Sequence, residues 1–337
     1  RAMVGDPVTI GVLWFSTSAV CSTWANHTFL TSFRDPVAHV FVRFAISSGL
    51  GLVGASAAGK GVLAGLPRMA RRLFLPSVFL LAANVLNSVA IFRTGHTVTY
   101  TVKSMIPFFT VALCRLRGQR FGARVYAVLA LICGGVSLAS ATAFELDWLG
   151  FLCALGSTLA QTLLNLTSRQ RIQDLRVSGA EAFFVMATLC AALSAPMFVS
   201  DVASPGSPLR ACVAGRCGGA LLPDAGQRLG PRAVVLLTGV AYHMEYMLNF
   251  RYLPLCSPLA FGVTDILRRL GTIVFNSVAF SKPLSSLNIV GIAMALLGAV
   301  AYATLTSQSS TDAALPMTKR DQARSPRSTL ATPPSAP

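Results

Sequence analysis

Six charged side chains fall inside long hydrophobic runs of this sequence: Arg43, Lys103, Glu245, Asp265, Arg268 and Arg269. An arginine guanidinium is a planar fork that meets phosphate or carboxylate through two parallel hydrogen bonds, and a lysine ammonium is a compact point charge. A dibasic pair removed from water needs an anion to offset its desolvation. Asp265 lies three and four residues before Arg268 and Arg269, so on a helix it can form structural ion pairs with them. One carboxylate cannot neutralise two arginines and Lys103 as well, so the pattern calls for an anionic ligand held by Lys103, Arg268 and Arg269. Lys103 sits mid-run, a long reach from any interface. Arg43 lies a few residues from the start of its run, where snorkelling serves as well as function, and it is left outside the candidate site. Glu245 has three readings: an ion pair with a clamp arginine, a titratable proton site, or a contact to substrate hydroxyls. Asn84, Asn87, Thr99, Tyr100 and His243 complete the candidate substrate-binding set, although polar residues in apolar helices also bond across helices without touching ligand. No acid–base, nucleophile or metal constellation stands out, and the four histidines are scattered, so neither catalysis nor a cofactor is expected.

The elements that must position these residues follow from composition. The chain has 337 residues, of which 53% are hydrophobic and only 12% charged, with a mean hydropathy of +0.62. Soluble domains carry roughly 25% charged residues, so a multi-spanning membrane protein is what remains. Its surroundings are membrane lipids; the formal charge of +16 lies in short clusters between apolar runs, which reads as orientation signal and not as nucleic-acid binding. Ten runs are long enough to cross about 30 Å of hydrocarbon at roughly 20 residues each, near 8–30, 36–56, 72–92, 95–115, 122–142, 147–167, 180–200, 231–251, 257–280 and 286–306. With both termini on one side, seventeen basic residues fall on that side and seven on the other, the bias expected of correctly counted spans. The domain plan is a segment 1–7, a ten-helix body 8–306 with halves at about 8–142 and 147–306 and a polar loop 201–231, and a disordered tail 307–337. Cys212 and Cys217 share that loop and are the one candidate disulfide. An N-terminal targeting segment, if one exists, precedes Arg1.

Each half carries a charged span, a short basic junction and a glycine-bearing helix: Lys103, Arg120 and Gly134-Gly135 in one, Arg268-Arg269, Lys282 and Gly291/Gly298 in the other. The copies lie five spans apart, and an odd number of spans per copy inverts the second, which predicts an all-α fold of two inverted five-helix repeats with a ligand site between them near the midplane. The glycines read as sites of close helix packing.

The runs NVLNSVAIFRTGHTVTYTVKSMIPFFTVALCRL and FELDWLGFLCALGSTLAQTLLNLTSRQRI, with SPLAFGVTDILRRLGTIVFNSVAF and PLSSLNIVGIAMALLGAVAYA, resemble the sugar-phosphate/phosphate translocators of the drug/metabolite transporter superfamily. The resemblance covers roughly residues 8–306. It implies that Lys103, ahead of Pro107, and the dibasic pair Arg268-Arg269 hold a phosphate group. It implies exchange of an organic phosphate for inorganic phosphate by alternating access, as a monomer or homodimer, in a plastid or plastid-derived envelope ahead of the Golgi or ER. A Golgi or ER nucleotide-sugar transporter of the same fold is the alternative. The sequence departs from the plastid pattern in having Arg-Arg where Lys-Arg is usual, Glu245 where a Tyr is usual, and Asn84 and Asn87 where His and Thr are usual.

Overall fold

The structure, a computed structural model, describes residues 6–57, 62–116, 118, 121–141, 147–204, 207, 210, 230–253, 255, 258–280 and 285–314. Among these residues the regular structure is entirely helical. In order, the elements are α1 (Pro7–Ser16), a π-helical turn (Thr17–Ser22), α2 (Thr23–Phe33), α3 (Pro36–Ala57), α4 (Val62–Lys103), α5 (Ile106–Leu116), α6 (Ala123–Ala141), α7 (Trp148–Leu175), α8 (Gly179–Ala203), α9 (Pro231–Tyr252), α10 (Pro258–Ala279) and α11 (Ser286–Ala314). Local chemistry sets several of the boundaries. Asp6 caps α1 by accepting from the Thr9 amide, with Pro7 opening the helix. Arg34 closes α2 in the left-handed conformation at φ 50°. The Asp35 carboxylate then accepts from the amides of Val37 and Ala38, both at 2.9 Å, and so starts α3. Ser178 and Glu181 form a reciprocal capping box at the head of α8.

α1 to α2 is one continuous apolar rod interrupted only by its π turn. It and four other segments, Pro36–Ser56, Gly65–Lys103, Trp148–Arg169 and Gly179–Ala203, are long and apolar enough to cross a membrane. Residues 106–116, 123–138 and 286–302 are shorter apolar helices. α4 is two helical arms joined at Gly95, whose φ of 77° and ψ of 175° lie outside helical space and suit glycine. α11 runs to Ala314, so the helix takes up the first residues assigned above to a tail. The remainder of that tail, Cys212 and Cys217 lie outside the described residues.

Packing is pairwise. α4 lies along α7, α6 along α11 and α3 along α8, while α9 fills the space beside α3 and the α1–α2 rod. Aromatic and aliphatic side chains bury the α3–α8–α9 contact, with Phe44, Phe183 and Tyr242 fully inside. Gly135 lets α6 approach α11 so closely that a Cβ there would meet the Ala295 amide nitrogen at 2.5 Å, and Gly298 faces Ile132 in the same crossing. The glycines at 135 and 298 therefore serve close packing, as their spacing suggested.

Candidate functional site

One cavity lies where α1, α2, α3, α4, α7, α9 and α10 converge. It brings together seven of the nine residues singled out in the sequence: Lys103, Arg268, Arg269, Glu245, Asn84, Asn87 and Tyr100. Asn84 and Lys103 are nineteen residues apart on α4, about 28 Å on a straight helix, too far to line one such cavity. The break at Gly95 is what folds the second arm back so that both reach it.

The charges are arranged in detail. Asp265 sits one turn before the arginines on α10, and each of its oxygens takes one guanidinium. Oδ1 accepts from Arg268 Nε at 3.1 Å and Nη2 at 2.8 Å, and Oδ2 accepts from Arg269 Nε at 3.0 Å and Nη2 at 2.7 Å. Arg268 turns its remaining nitrogen, Nη1, to Glu245 Oε1 at 3.1 Å and to Ser18 Oγ at 2.6 Å, while Ser18 donates to the same Glu245 oxygen at 2.8 Å. The Trp14 ring lies 5.3 Å from this guanidinium. Every nitrogen of Arg268 thus has a partner. Arg269, only 4% exposed, keeps a buried Nη1 with no hydrogen-bond partner among the described residues.

Lys103 is different. It is buried, its ammonium stands 5.4 Å from the Tyr100 ring centroid, and among the described residues no carboxylate lies within salt-bridge distance of it. Counting Arg43, four cations and two carboxylates line the cavity, so its side chains carry a surplus of two positive charges. That surplus, rather than the arginine pair alone, is what an anion in the cavity would offset.

Two expected residues are not brought to it. His243 is two positions from Glu245, about 200° around α9, and packs instead near Phe183 with ring centroids 5.8 Å apart. The Thr99 hydroxyl turns back to donate to the Gly95 carbonyl at 2.8 Å, beside the helix break. Several residues that line the cavity or brace its charges were not anticipated. Ser18 reaches the arginine because the π turn rotates it inward, which no periodicity signals; such turns recur at functional sites. Tyr242, Tyr246 and Asn249 share a face with Glu245 at helical spacing, and Gln161 and Asn165 do the same on α7, so those polar stripes were readable. Arg43 was set aside for its nearness to a helix start. In fact it lies two turns inside α3, is 2% exposed, and faces the cavity.

Outside the apolar spans, Asp147 accepts from Arg93 at 2.7 Å, and that hydrogen bond holds its carboxyl below the usual range. Asp35 goes the other way. Burial, then a hydrogen bond with Asp201, raises it to about 6. Oδ2 of each has no donor partner among the described residues, which one shared proton would satisfy.

Comparison with known proteins follows this geometry. A family model described as the Triose-phosphate Transporter family matches residues 8–303. The chain is 28% identical over 235 residues to glucose-6-phosphate/phosphate translocator 1, chloroplastic, of Arabidopsis thaliana, covering 69% of this chain and 58% of that protein. It is 27% identical over 225 residues to phosphoenolpyruvate/phosphate translocator 3, chloroplastic, of Oryza sativa subsp. japonica (66% and 54%), and 25% identical over 263 residues to the chloroplastic triose phosphate/phosphate translocator of Flaveria pringlei (74% and 60%). The chain therefore spans less than two thirds of the length of these curated relatives. A crystal structure of another protein matches at 20% identity with a TM-score of 0.55, over 90% of this chain and 98% of that one, which establishes a shared fold.

Proposed function

The chain belongs to the Triose-phosphate Transporter family, a family of membrane transporters, and on that premise we propose that it exchanges an organic phosphate for inorganic phosphate by alternating access. The observation that carries the reading is the surplus of two positive charges in the cavity, left after both carboxylates are engaged by the arginine pair. A phosphate monoester carries about −1.5 to −2 at neutral pH and offers three acceptor oxygens, which matches that surplus. Lys103 supplies an unpaired point charge and Arg269 an unused Nη1 donor. Arg268, held by Asp265, Glu245 and Ser18, presents a fixed positive face. The neutral amides of Asn84 and Asn87 are suited to the part of the substrate beyond its phosphate. The cargo is an anionic small molecule, and the setting is a plastid or plastid-derived envelope, in keeping with relatives whose names are chloroplastic.

The proposal includes ten membrane crossings in two inverted five-helix halves. Three features support it. The helix breaks at Gly95 inside α4, as two crossings within that long segment would require. The packing pairs persist when each crossing is exchanged for the one five positions away: α4 on α7 answers to α9 on the α1–α2 rod, α4 on α8 to α9 on α3, and α6 on α11 and α3 on α8 map onto themselves. Junctions assigned to one side also meet. Arg93 pairs with Asp147 and His27 stacks on Phe280 at 3.6 Å on the side with fewer basic residues. Gly179 abuts the Phe250 carbonyl on the other.

Obligate exchange follows from the charge balance. Closing the empty cavity would carry two uncompensated cations into a low-dielectric space, at a cost of several kcal/mol. Bound phosphate removes most of that cost. Purified protein in liposomes is expected to take up labelled phosphate at least tenfold faster when the vesicles hold phosphate than when they are empty. Equal initial rates would make it a uniporter or a proton-coupled carrier, with Glu245 as the coupling residue.

A further inference from the structure

α5 and α6 are neighbours, yet each finds its main packing partner elsewhere, α5 in α7 and α6 in α11. Between them lies a groove that shares no lining residue with the central cavity. Its walls are two stripes at the same helical spacing, i, i+3, i+4 and i+7. α5 contributes Phe108, Val111 and Ala112 and ends its stripe at Arg115. α6 begins its stripe at Tyr126 and continues through Leu129, Ala130 and Cys133. Arg115 and Tyr126 meet at one end, and from that mouth the apolar stripes run on together for about 10 Å. Phe108 is 37% exposed and Tyr126 40%, so the groove lies open on the outer flank of the helices.

The mouth carries charge that the protein does not answer. Arg115 Nη1 donates to the Tyr126 hydroxyl at 2.8 Å, and the guanidinium stands 5.9 Å from the centre of that ring. The hydroxyl orients the arginine without neutralising it, and among the described residues no carboxylate lies within salt-bridge distance. The sequence around it is one-signed: Arg115, Arg117, Arg120 and Arg124 fall within ten residues, and no acidic residue occurs between Lys103 and Glu145. Tyrosine and arginine at the end of an apolar helix mark the level of lipid headgroups. A basic mouth above an apolar slot between two such helices has the polarity of an anionic phospholipid, with charge at one end and hydrocarbon at the other.

We propose that the α5–α6 groove binds one anionic phospholipid of the surrounding bilayer, with an acyl chain between the two stripes and the phosphate on Arg115. A soluble phosphate ester would use the arginine and leave both stripes uncovered. A zwitterionic lipid would cover the stripes but bring a second cation to a mouth that is already basic. The assignment is independent of the phosphate reading of the central cavity.

The test is native mass spectrometry of the purified full chain after incubation with an equimolar mixture of phosphatidylglycerol and phosphatidylcholine of matched acyl chains. The unaltered chain is expected to retain one phospholipid and to favour phosphatidylglycerol about tenfold. Arg115→Gln is expected to lower that preference about fivefold, the scale of one basic side chain at an anionic surface. Ala112→Phe and Ala130→Phe fill the groove from opposite walls and should each lose the retained lipid, so either serves if the other does not fold. Equal retention of the two lipids by the unaltered chain, or an unchanged preference in Arg115→Gln, overturns the assignment. Undiminished phosphatidylglycerol in the filled variants overturns it too, because the headgroup alone is then held, as free phosphate would be. A lipid-free dimer that Ala130→Phe converts to monomer gives the groove to a second copy of the chain and likewise overturns it.

Discussion

The cavity's four cations are supported in two different ways. On α10, Asp265 stands at i−3 and i−4 from Arg268 and Arg269, so a single turn of helix supplies the counter-charge, and Glu245 adds to it across the gap. On α3 and α4, no acidic residue lies three or four positions from Arg43 or Lys103, and neither forms an ion pair among the described residues. The arginine pair is therefore stable without ligand, and its charge is largely spent inside the protein. The charge on Lys103 and Arg43 is held in reserve. An anion entering the cavity finds a rigid, neutralised platform on one wall and uncompensated cations on the other. On the proposed reading, that division lets an empty carrier fold while still favouring an occupied one.

The sharpest way to break the contrast is to remove the local counter-charge. Asp265→Asn leaves two buried guanidiniums short of a carboxylate, and losing one partner of a buried pair costs about 3–5 kcal/mol. Its melting temperature in detergent should fall by many degrees, and added phosphate should recover more of the loss than it adds to the parent protein. A melting temperature close to the parent's would show that the α10 platform is not self-supporting in the way described. Glu245→Gln is milder. Arg268 keeps Asp265 and Ser18, but the surplus charge rises by one, so half-saturation for phosphate should drop about fivefold, on the order of 1 kcal/mol. Weaker phosphate binding in this variant would contradict the charge balance.

A carboxylate pair far from the platform provides the next test. Asp35 is raised to about 6, above its ordinary value of 3.8, so the folded state binds its proton more tightly than the unfolded chain does. The stability it contributes is full below about pH 3.8 and is lost as pH rises through about 6. Thermal scans across that window should show stability from this link declining with rising pH, and Asp201→Asn should flatten the decline because its amide donates to Asp35 whatever the pH. The smallest effect belongs to His243, which faces Phe183 and not the cavity. His243→Ala should leave phosphate exchange within about twofold of the parent, the scale of a single interhelical contact. A tenfold loss would mean that α9 turns a different face to the substrate.

Much of this was legible in sequence because the membrane imposes simple rules. The runs near 36–56, 122–142, 147–167, 180–200 and 231–251 match α3, α6, α7, α8 and α9 to within a few residues, except that α7 runs eight residues further to Leu175, and Lys103, Arg268 and Arg269 stood out because charge inside an apolar run is expensive. What escaped was local backbone geometry and rotation. The break at Gly95 joins two runs into what counts as one helix, and only its positive φ reveals the kink. Ser18 reaches Arg268 through a π turn that shifts the helical phase. Arg43 was discounted by distance from a helix end, which says how far a side chain is from water along the axis but not which face it occupies. Thr99 does not line the cavity for another reason: its hydroxyl donates to the backbone carbonyl of Gly95.

The central claim is that the cavity's unpaired positive charge, with Lys103 at its heart, exists to hold phosphate. Its most direct test is thermal unfolding of the purified protein as a function of phosphate concentration, for the parent and for Lys103→Met, which keeps the length of the side chain and removes its charge. A ligand that binds only the folded state at a hundred times its Kd stabilises it by about 2.7 kcal/mol. The parent is predicted to melt progressively higher as phosphate is added, and Lys103→Met to lose most of that rise. A parent indifferent to phosphate, or a Lys103→Met variant stabilised as strongly as the parent, would contradict the account.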